Sequence, residues 1–235
     1  MPQGVVWYED KEEYRLINRK DSQMKKMLIA MLVLMMAASA FAVNPVGKGM
    51  MYVEGTTSAG FAKGGGDAYK DFNGDTPTWI NFNPSAGYFF ANGLAVGVMV
   101  NFDKMSWGDT KSTGFHFGPK VMWFPTAKNA EDPKGKLLPY LSAAFLLTSD
   151  KTEIEDNILE KLARASATTT YKYSGTEITF TGGGVWMLSN NFGLNLEAFF
   201  SLGSEKQKEP VETDSVSGNV MGINIGVTGF FGGGQ

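Results

Sequence analysis

The stretch GLAVGVMVNFD, which spans Gly93–Asp103, decides the fold because its side chains alternate between two kinds. One set is apolar and comprises Leu94, Val96, Val98, Val100 and Phe102. The other set is mostly small or polar and comprises Ala95, Gly97, Met99, Asn101 and Asp103. Successive side chains of a β-strand point to opposite faces, so the alternation predicts a strand with one apolar and one more polar face.

The same alternation recurs along much of the chain. It is clear in Phe192–Ser201 and again around Ile223, Ile225 and Val227. Applied from residue 43 onward, the period-two test predicts eight strands and hence an all-β domain. These strands are expected at 49–62, 77–91, 93–105, 112–125, 137–149, 173–188, 191–204 and 216–231.

The connections between the predicted strands mostly alternate between long and short. The tight ones are Asn92-Gly93 and 189–191, and the longest is 150–172. Membrane barrels have this rhythm because their short turns lie at one end and their longer loops at the other. The connection TAKNAEDPKGK, residues 126–136, departs from the rhythm because it is long where a short turn is expected.

The composition of the polar strand faces indicates which side of the sheet is inside. These faces carry mainly Gly, Asn, Ser and Thr, which suit the narrow interior of an eight-stranded barrel. Aromatic residues near the strand ends are expected to form girdles at the membrane interfaces. The girdle candidates are Trp79, Tyr88, Phe90, Trp107, Trp123, Tyr140, Trp186, Phe230 and Phe231. The alternative is a soluble periplasmic barrel, in which the apolar face forms the core.

The segment MKKMLIAMLVLMMAASAFA, residues 24–42, has the features of a secretion signal. Lys25 and Lys26 precede the uncharged run Met27–Ala38, and small residues follow at Ala40 and Ala42. We expect translation to start at Met24, residues 1–23 to be an upstream extension, and cleavage to occur near Ala42. The barrel domain is then residues 43–235. The alternative is a signal anchor with a cytoplasmic tail.

The composition of the chain excludes several functional classes. With 21 Lys and Arg against 24 Asp and Glu, the chain has no basic surplus for binding nucleic acid. It contains no cysteine, so neither a disulfide framework nor a thiolate metal site is available. The 29 glycines and 13% aromatic residues, with only 19% charged residues, favour an envelope protein over a soluble domain.

The signal segment, the strand rhythm and the closing stretch GNVMGINIGVTGFF, residues 218–231, together resemble the small outer-membrane β-barrel family. This family includes OmpX, OmpW and the barrel of OmpA, and the resemblance covers Val43–Phe231. It implies an eight-stranded antiparallel up-and-down transmembrane β-barrel in the outer membrane of a Gram-negative-type envelope. It also implies contact with outer-membrane lipid, lipopolysaccharide and the barrel-assembly machinery.

The expected function is a structural or surface-interaction role, with the lumen filled by polar side chains. One alternative is an OmpW-like passage for small apolar solutes, and another is a lipid-modifying outer-membrane enzyme. His116 is the only histidine, and Phe117-Gly118 follows it instead of the His-x-Ser pattern of a lipid A deacylase. DFNGD at 71–75 resembles only the start of a calcium loop. We therefore predict no enzymatic activity, no metal site and no cofactor.

The strand register predicts a network of charged side chains inside the barrel. Its members are Glu54, Asp103, His116, Lys120, Glu177 and Glu197. A buried charge is costly unless it is paired, so Lys120 is expected to pair with Glu54 or Glu197 and to help block the interior.

The loop 150–172 is predicted to contain a short amphipathic helix. Ile154, Ile158 and Leu162 recur at intervals of four, and Asp150 with Glu153 resembles a capping box. Such a helix would cover the barrel rim or bind a surface partner through 150–172.

Overall fold

The computed structural model describes residues 44–59, 63–66, 78–107, 110–127, 130, 132–156 and 167–232. The extension 1–23, the signal segment 24–42 and the DFNGD loop lie outside these ranges. The described part contains nine strands. They are β1 (Met50–Ala59), β2 (Lys63–Gly66), β3 (Thr78–Ala91), β4 (Leu94–Trp107), β5 (Thr110–Trp123), β6 (Leu137–Asp156), β7 (Ala167–Met187), β8 (Phe192–Glu209) and β9 (Val216–Gly232).

These strands form a closed eight-stranded antiparallel β-barrel, as the sequence predicts. From β3 to β9 each strand pairs with the next along the chain, and β1 pairs with both β3 and β9. The short strand β2 pairs with β9 beyond the end of β1, so β1 and β2 share one position in the barrel wall. The described residues include no helix long and apolar enough to cross a membrane.

The end of the barrel that carries the tight turns is held together by backbone hydrogen bonds between neighbouring connections. Gly93 has a positive φ of 75°, which favours glycine in the turn between β3 and β4. Its N–H donates to Val46 O at 2.7 Å, and its carbonyl accepts from Phe124 N at 2.7 Å. The connection after β5 therefore lies directly beside this turn.

An apolar plug fills the lumen at the same end. Its fully or almost fully buried side chains include three aromatic rings, those of Phe89, Phe124 and Phe230. The rings of Phe89 and Phe124 lie 5.8 Å apart, and both are 6.3 Å from the ring of Phe230. Ala127 and Ala130 are buried in the same cluster. The unusually long connection 126–136 thus contributes side chains to the plug.

At the opposite end, strands β6, β7 and β8 are longer than the sequence predicts. Residues 150–156 of β6 pair with 167–173 of β7. The helix predicted to begin at Asp150 is therefore wrong for its first turn, because the backbone there is hydrogen-bonded within a sheet. β-Branched residues such as Thr152 and Ile154 favour a strand over a local capping box. Residues Ile158 and Leu162 of the predicted helix lie outside the described ranges.

The outer surface of the barrel is an apolar band. Val98, Leu196 and Ile225 are more than 60% exposed, and Phe115 and Phe117 are also exposed. Tyr88, Phe90, Trp123 and Trp186 form an exposed aromatic girdle near the tight turns, as expected for a membrane interface.

Two residues predicted for the girdle are placed elsewhere. Tyr140 and Phe230 are 2% and 0% exposed and point into the lumen, so that prediction is wrong for them. Both lie near strand ends, where both faces of the strand carry apolar residues and alternation no longer marks the inner face. The side chains of Trp79 and Trp107 lie outside the description.

An arginine on the apolar band should destabilise a membrane-embedded barrel. Leu196 is 62% exposed near the middle of the apolar part of β8. We expect Leu196→Arg to lower the free energy of unfolding in lipid vesicles by about 2–4 kcal/mol, because the guanidinium must leave water. The matched control is Val211→Arg in the β8–β9 connection, where the side chain is already 67% exposed. Equal effects of the two substitutions in urea titrations would contradict a lipid-facing position for Leu196.

Candidate functional site

The lumen is organised in layers along the barrel axis. The apolar plug closes the end with the tight turns, and a layer centred on Lys120 lies next to it. A second charged layer, centred on His116, follows farther along β5. A cavity of about 630 Å³ extends from the Lys120 layer past the His116 layer toward the longer strand ends, and its walls include Lys120 and His116 as well as Gln207 and Thr213. The candidate site is this cavity and the two charged layers.

Lys120 lies on β5 opposite Glu54 of β1 and is 6% exposed. Its Nζ is 2.5 Å from Glu54 Oε2 and donates a further hydrogen bond to Ser85 Oγ at 3.3 Å. Ser85 Oγ in turn donates to the same carboxylate oxygen at 2.8 Å. The second oxygen, Oε1, accepts from Asn195 Nδ2 at 2.8 Å. Both oxygens of this buried carboxylate are therefore satisfied.

Tyr140 connects Glu54 to the second carboxyl group of this layer. Its hydroxyl lies 3.3 Å from Glu54 Oε1 and donates to Glu197 Oε2. Asn224 Nδ2 donates to Glu197 Oε1 at 2.8 Å from the neighbouring strand. The Lys120 layer thus links strands on opposite sides of the barrel by direct side-chain contacts. Such a cross-barrel network leaves little room for a solute to pass.

His116 is surrounded by three carboxyl groups. Its Nε2 lies 3.1 Å from Asp150 Oδ1 and 3.4 Å from Asp103 Oδ1. Its Nδ1 lies 3.0 Å from Glu177 Oε2. The histidine is 8% exposed, so this cluster is well shielded from water although it borders the cavity.

The strand register explains why these groups meet. Asp103 of β4 and Asp150 of β6 both pair with Gly114 of β5, two residues before His116. Gly114 has no side chain, so both carboxyl groups can lean over it toward the imidazole. On the other side, Thr179 Oγ1 donates to Glu177 Oε1 at 2.6 Å and fixes that carboxyl group.

The mouth of the cavity carries exposed ion pairs on the extended β8–β9 hairpin. Glu212 Oε1 lies 2.7 Å from Lys206 Nζ and 3.2 Å from Lys208 Nζ. Hydrogen bonds from these two ammonium groups hold the pKa of Glu212 below its ordinary value. Because the three groups are exposed, salt screens them and their contribution to stability is small.

The structure places the predicted lumen residues in two groups. Glu54, Lys120 and Glu197 lie in one layer, whereas Asp103, His116 and Glu177 lie in the other. Three further titratable residues lie here that the predicted network does not include, namely Tyr140, Asp150 and Glu205, of which the last lines the same cavity. Asp150 and Glu205 lie just beyond the predicted strands 137–149 and 191–204. Both could have been found by continuing the period-two alternation past the predicted strand ends. Asp150 lies on the same face of β6 as Thr148, and Glu205 lies on the same face of β8 as Ser201.

No protein-family model matches the chain, and no curated protein matches it by sequence. Solved structures do match. Outer membrane protein OprG from Pseudomonas aeruginosa aligns with a TM-score of 0.51 at 12% identity, covering 82% of this chain and 100% of OprG. Neisserial surface protein A aligns with a TM-score of 0.47 at 15% identity, covering 77% of this chain and 99% of that one. The likeness to OprG, together with the closed antiparallel barrel, shows that the chain has the fold of a small outer-membrane β-barrel.

Proposed function

We propose that the protein is an integral outer-membrane barrel whose lumen is closed to solutes, with a structural or surface-interaction role. The observation that supports this most directly is the double closure of the lumen. The plug around Phe124 blocks one end, and the Lys120–Glu54 pair lies immediately above it. The apolar outer band and the fold shared with OprG support the membrane location.

The alternative of a passage for small apolar solutes fits the lumen less well. Such a passage needs a continuous apolar lining, whereas the walls above the plug carry Asn81, Asn83, Asn101 and Asn224. An apolar solute would have to leave the membrane, contact these amides and then cross two charged layers. Burying polar groups against an apolar solute without hydrogen bonds is unfavourable.

The alternative of a lipid-modifying enzyme is also less well supported. A serine-type hydrolase needs a hydroxyl nucleophile within hydrogen-bonding distance of its histidine. Both ring nitrogens of His116 instead face carboxyl groups, those of Asp150, Asp103 and Glu177. The lipid-facing neighbours Phe115 and Phe117 lie on the opposite side of β5.

The surface-interaction role is assigned to the strand extensions at the open end. Short turns of outer-membrane barrels face the periplasm and long loops face outward, so the extended ends of β6–β9 point away from the cell. The β6–β7 hairpin, which includes 150–156 and 167–172, provides edges and side chains for a partner or for lipopolysaccharide. This retains the expectation of a partner at 150–172, with strands in place of a helix in its described part.

Electrical recordings test the closed lumen. The refolded protein, inserted into planar lipid bilayers, is expected to give no steady conductance because both the plug and the Lys120 layer must be displaced for ions to pass. Insertion is verified independently by heat-modifiable gel mobility and by protection of the barrel from protease in vesicles. A large and steady conductance from the unmodified protein would overturn the proposal and favour a pore.

A further inference from the structure

We propose that His116, Asp103 and Asp150 bind a divalent transition-metal ion of the Zn²⁺ type in the outward-facing cavity. The donor atoms of these three residues lie within 4.8 Å of one another. The inference departs from the sequence expectation of no metal site, and it does not depend on whether the lumen conducts.

The first observation is the spacing of the donor atoms. Bonds of about 2.0–2.2 Å to Zn²⁺ place two ligand atoms of one ion about 3–3.5 Å apart. His116 Nε2 lies 3.1 Å from Asp150 Oδ1 and 3.4 Å from Asp103 Oδ1. One N–H can donate well to only one of these oxygens, whereas one cation can contact the nitrogen and both oxygens. These two contacts at one nitrogen therefore suit a shared ion better than a single hydrogen bond.

The second observation is the arrangement behind the imidazole. Glu177 Oε2 lies 3.0 Å from Nδ1, the nitrogen that faces away from the two aspartates. Metal-binding histidines commonly donate their other N–H to a carboxylate, which fixes the tautomer and the ring orientation. Thr179 holds Glu177 in place through a 2.6 Å hydrogen bond. Glu177 is thus placed as a positioning residue for the proposed site, through a 3.0 Å ion-pair contact with Nδ1 that a small rotation of the ring would align as a hydrogen bond.

The third observation is the room that Gly114 leaves for the two aspartates and an amide oxygen beside them that has no hydrogen-bond partner among the described residues. A Cβ atom at Gly114 would lie only 2.2 Å from Asp103 Oδ1 and 2.3 Å from Asp150 Oδ1, so a glycine is needed for both carboxyl groups to converge there. Asn101 pairs with His116 across the strands, is 9% exposed, and its Oδ1 has no hydrogen-bond partner among the described residues. It lines the same cavity and offers a further oxygen ligand.

The charges of the cavity also favour a cation. Its acidic lining residues are Asp103, Asp150, Glu177, Glu197 and Glu205, against the basic residues His116 and Lys120. Lys120 is already paired with Glu54. The mixed nitrogen and oxygen donor set is typical of Zn²⁺ and neighbouring transition metals, whereas Ca²⁺ prefers oxygen ligands alone.

Zinc titration of untagged, refolded protein in detergent tests the proposal. The chain has one histidine and no cysteine, so the ¹⁵N resonances of a single imidazole report directly on metal binding. We expect one Zn²⁺ per chain by calorimetry and a shift of the His116 Nε2 resonance. His116→Gln and Asp103→Asn should each weaken binding by more than about 100-fold, and Glu177→Gln by about 10–100-fold.

The matched control is Glu153→Gln, which removes an exposed carboxylate paired with Lys151 on the same strand as Asp150. It should leave zinc affinity unchanged. Heat-modifiable gel mobility checks that each variant folds. If His116→Gln does not fold, the imidazole resonances of the unmodified protein show whether His116 binds the metal. Absence of binding at millimolar Zn²⁺, an unmoved imidazole resonance, or binding that Asp103→Asn leaves intact would overturn the site. Calcium binding that is equally strong with and without His116 would also overturn it.

Discussion

Replacing Lys120 by methionine is expected to lower the free energy of unfolding of the refolded barrel by about 3–5 kcal/mol. Methionine preserves most of the side-chain volume, so the loss reports mainly on the ammonium group. Without it, Glu54 keeps its hydrogen bonds from Ser85 and Asn195 but loses its only close cation among the described residues. A carboxylate that is 2% exposed cannot recover this energy from water.

A double-mutant cycle separates this pairing energy from general damage to the lumen. Glu54→Gln removes the charge but retains an oxygen that can accept from Asn195 and Tyr140. We expect Lys120→Met combined with Glu54→Gln to recover part of the stability lost in Lys120→Met alone, because no uncompensated charge is left buried. Urea titrations in detergent or vesicles, followed by tryptophan fluorescence, measure all four species.

Lys134 provides the control for this cycle, since it lies exposed in the connection between β5 and β6. Lys134→Met is expected to change the free energy of unfolding by less than about 0.5 kcal/mol. A loss below about 1 kcal/mol for Lys120→Met would mean that hydrogen bonds alone satisfy Glu54 and that the ammonium group contributes little. The pairing account of the layer would then be wrong.

The fold could be predicted from the sequence because the alternation of side chains along a strand matches the two different environments on either side of the barrel wall. In a strand such as Gly93–Asp103 the side chains alternate every residue, and in a narrow membrane barrel the two faces meet lipid and a polar lumen. The inward positions of Glu54, His116 and Lys120 follow from the same alternation. Closure of the barrel was predictable from the strand count and the rhythm of the connections, without any knowledge of individual contacts.

The plug could not be predicted in this way. Phe124, Tyr140 and Phe230 lie near strand ends, where apolar residues occur on both faces and alternation cannot tell lumen from membrane. Interfacial girdles also favour aromatic residues, so the sequence positions of Tyr140 and Phe230 suit the girdle as well as they suit the lumen. The long connection 126–136 weakened the predicted rhythm, although its length is explained by the alanines that it buries in the plug.

The His116 cluster could not be predicted from the sequence for a different reason. Asp103 and Asp150 are 47 positions apart, and they meet only because β4 and β6 both pair with Gly114 of β5. That pairing requires β6 to continue as a strand through Asp150, where a capping box favoured a local helix start. Long-range pairing outweighed the local signal, because it satisfies the backbone groups of this segment on both sides.

Truncation of the plug at Phe124 should destabilise the barrel as strongly as loss of the Lys120 charge. Phe124 is 1% exposed, and its ring lies 5.4 Å from that of Tyr140 and 5.8 Å from that of Phe89. We expect Phe124→Ala to lower the free energy of unfolding by about 3–5 kcal/mol, because the closed barrel wall cannot collapse around the resulting cavity. Phe117→Ala is the matched control: Phe117 is 49% exposed on the outer face, where lipid or detergent fills the space and a smaller loss is expected. Urea titrations of both variants make the comparison, and an equal or larger loss for Phe117→Ala would mean that the plug is not a packed core.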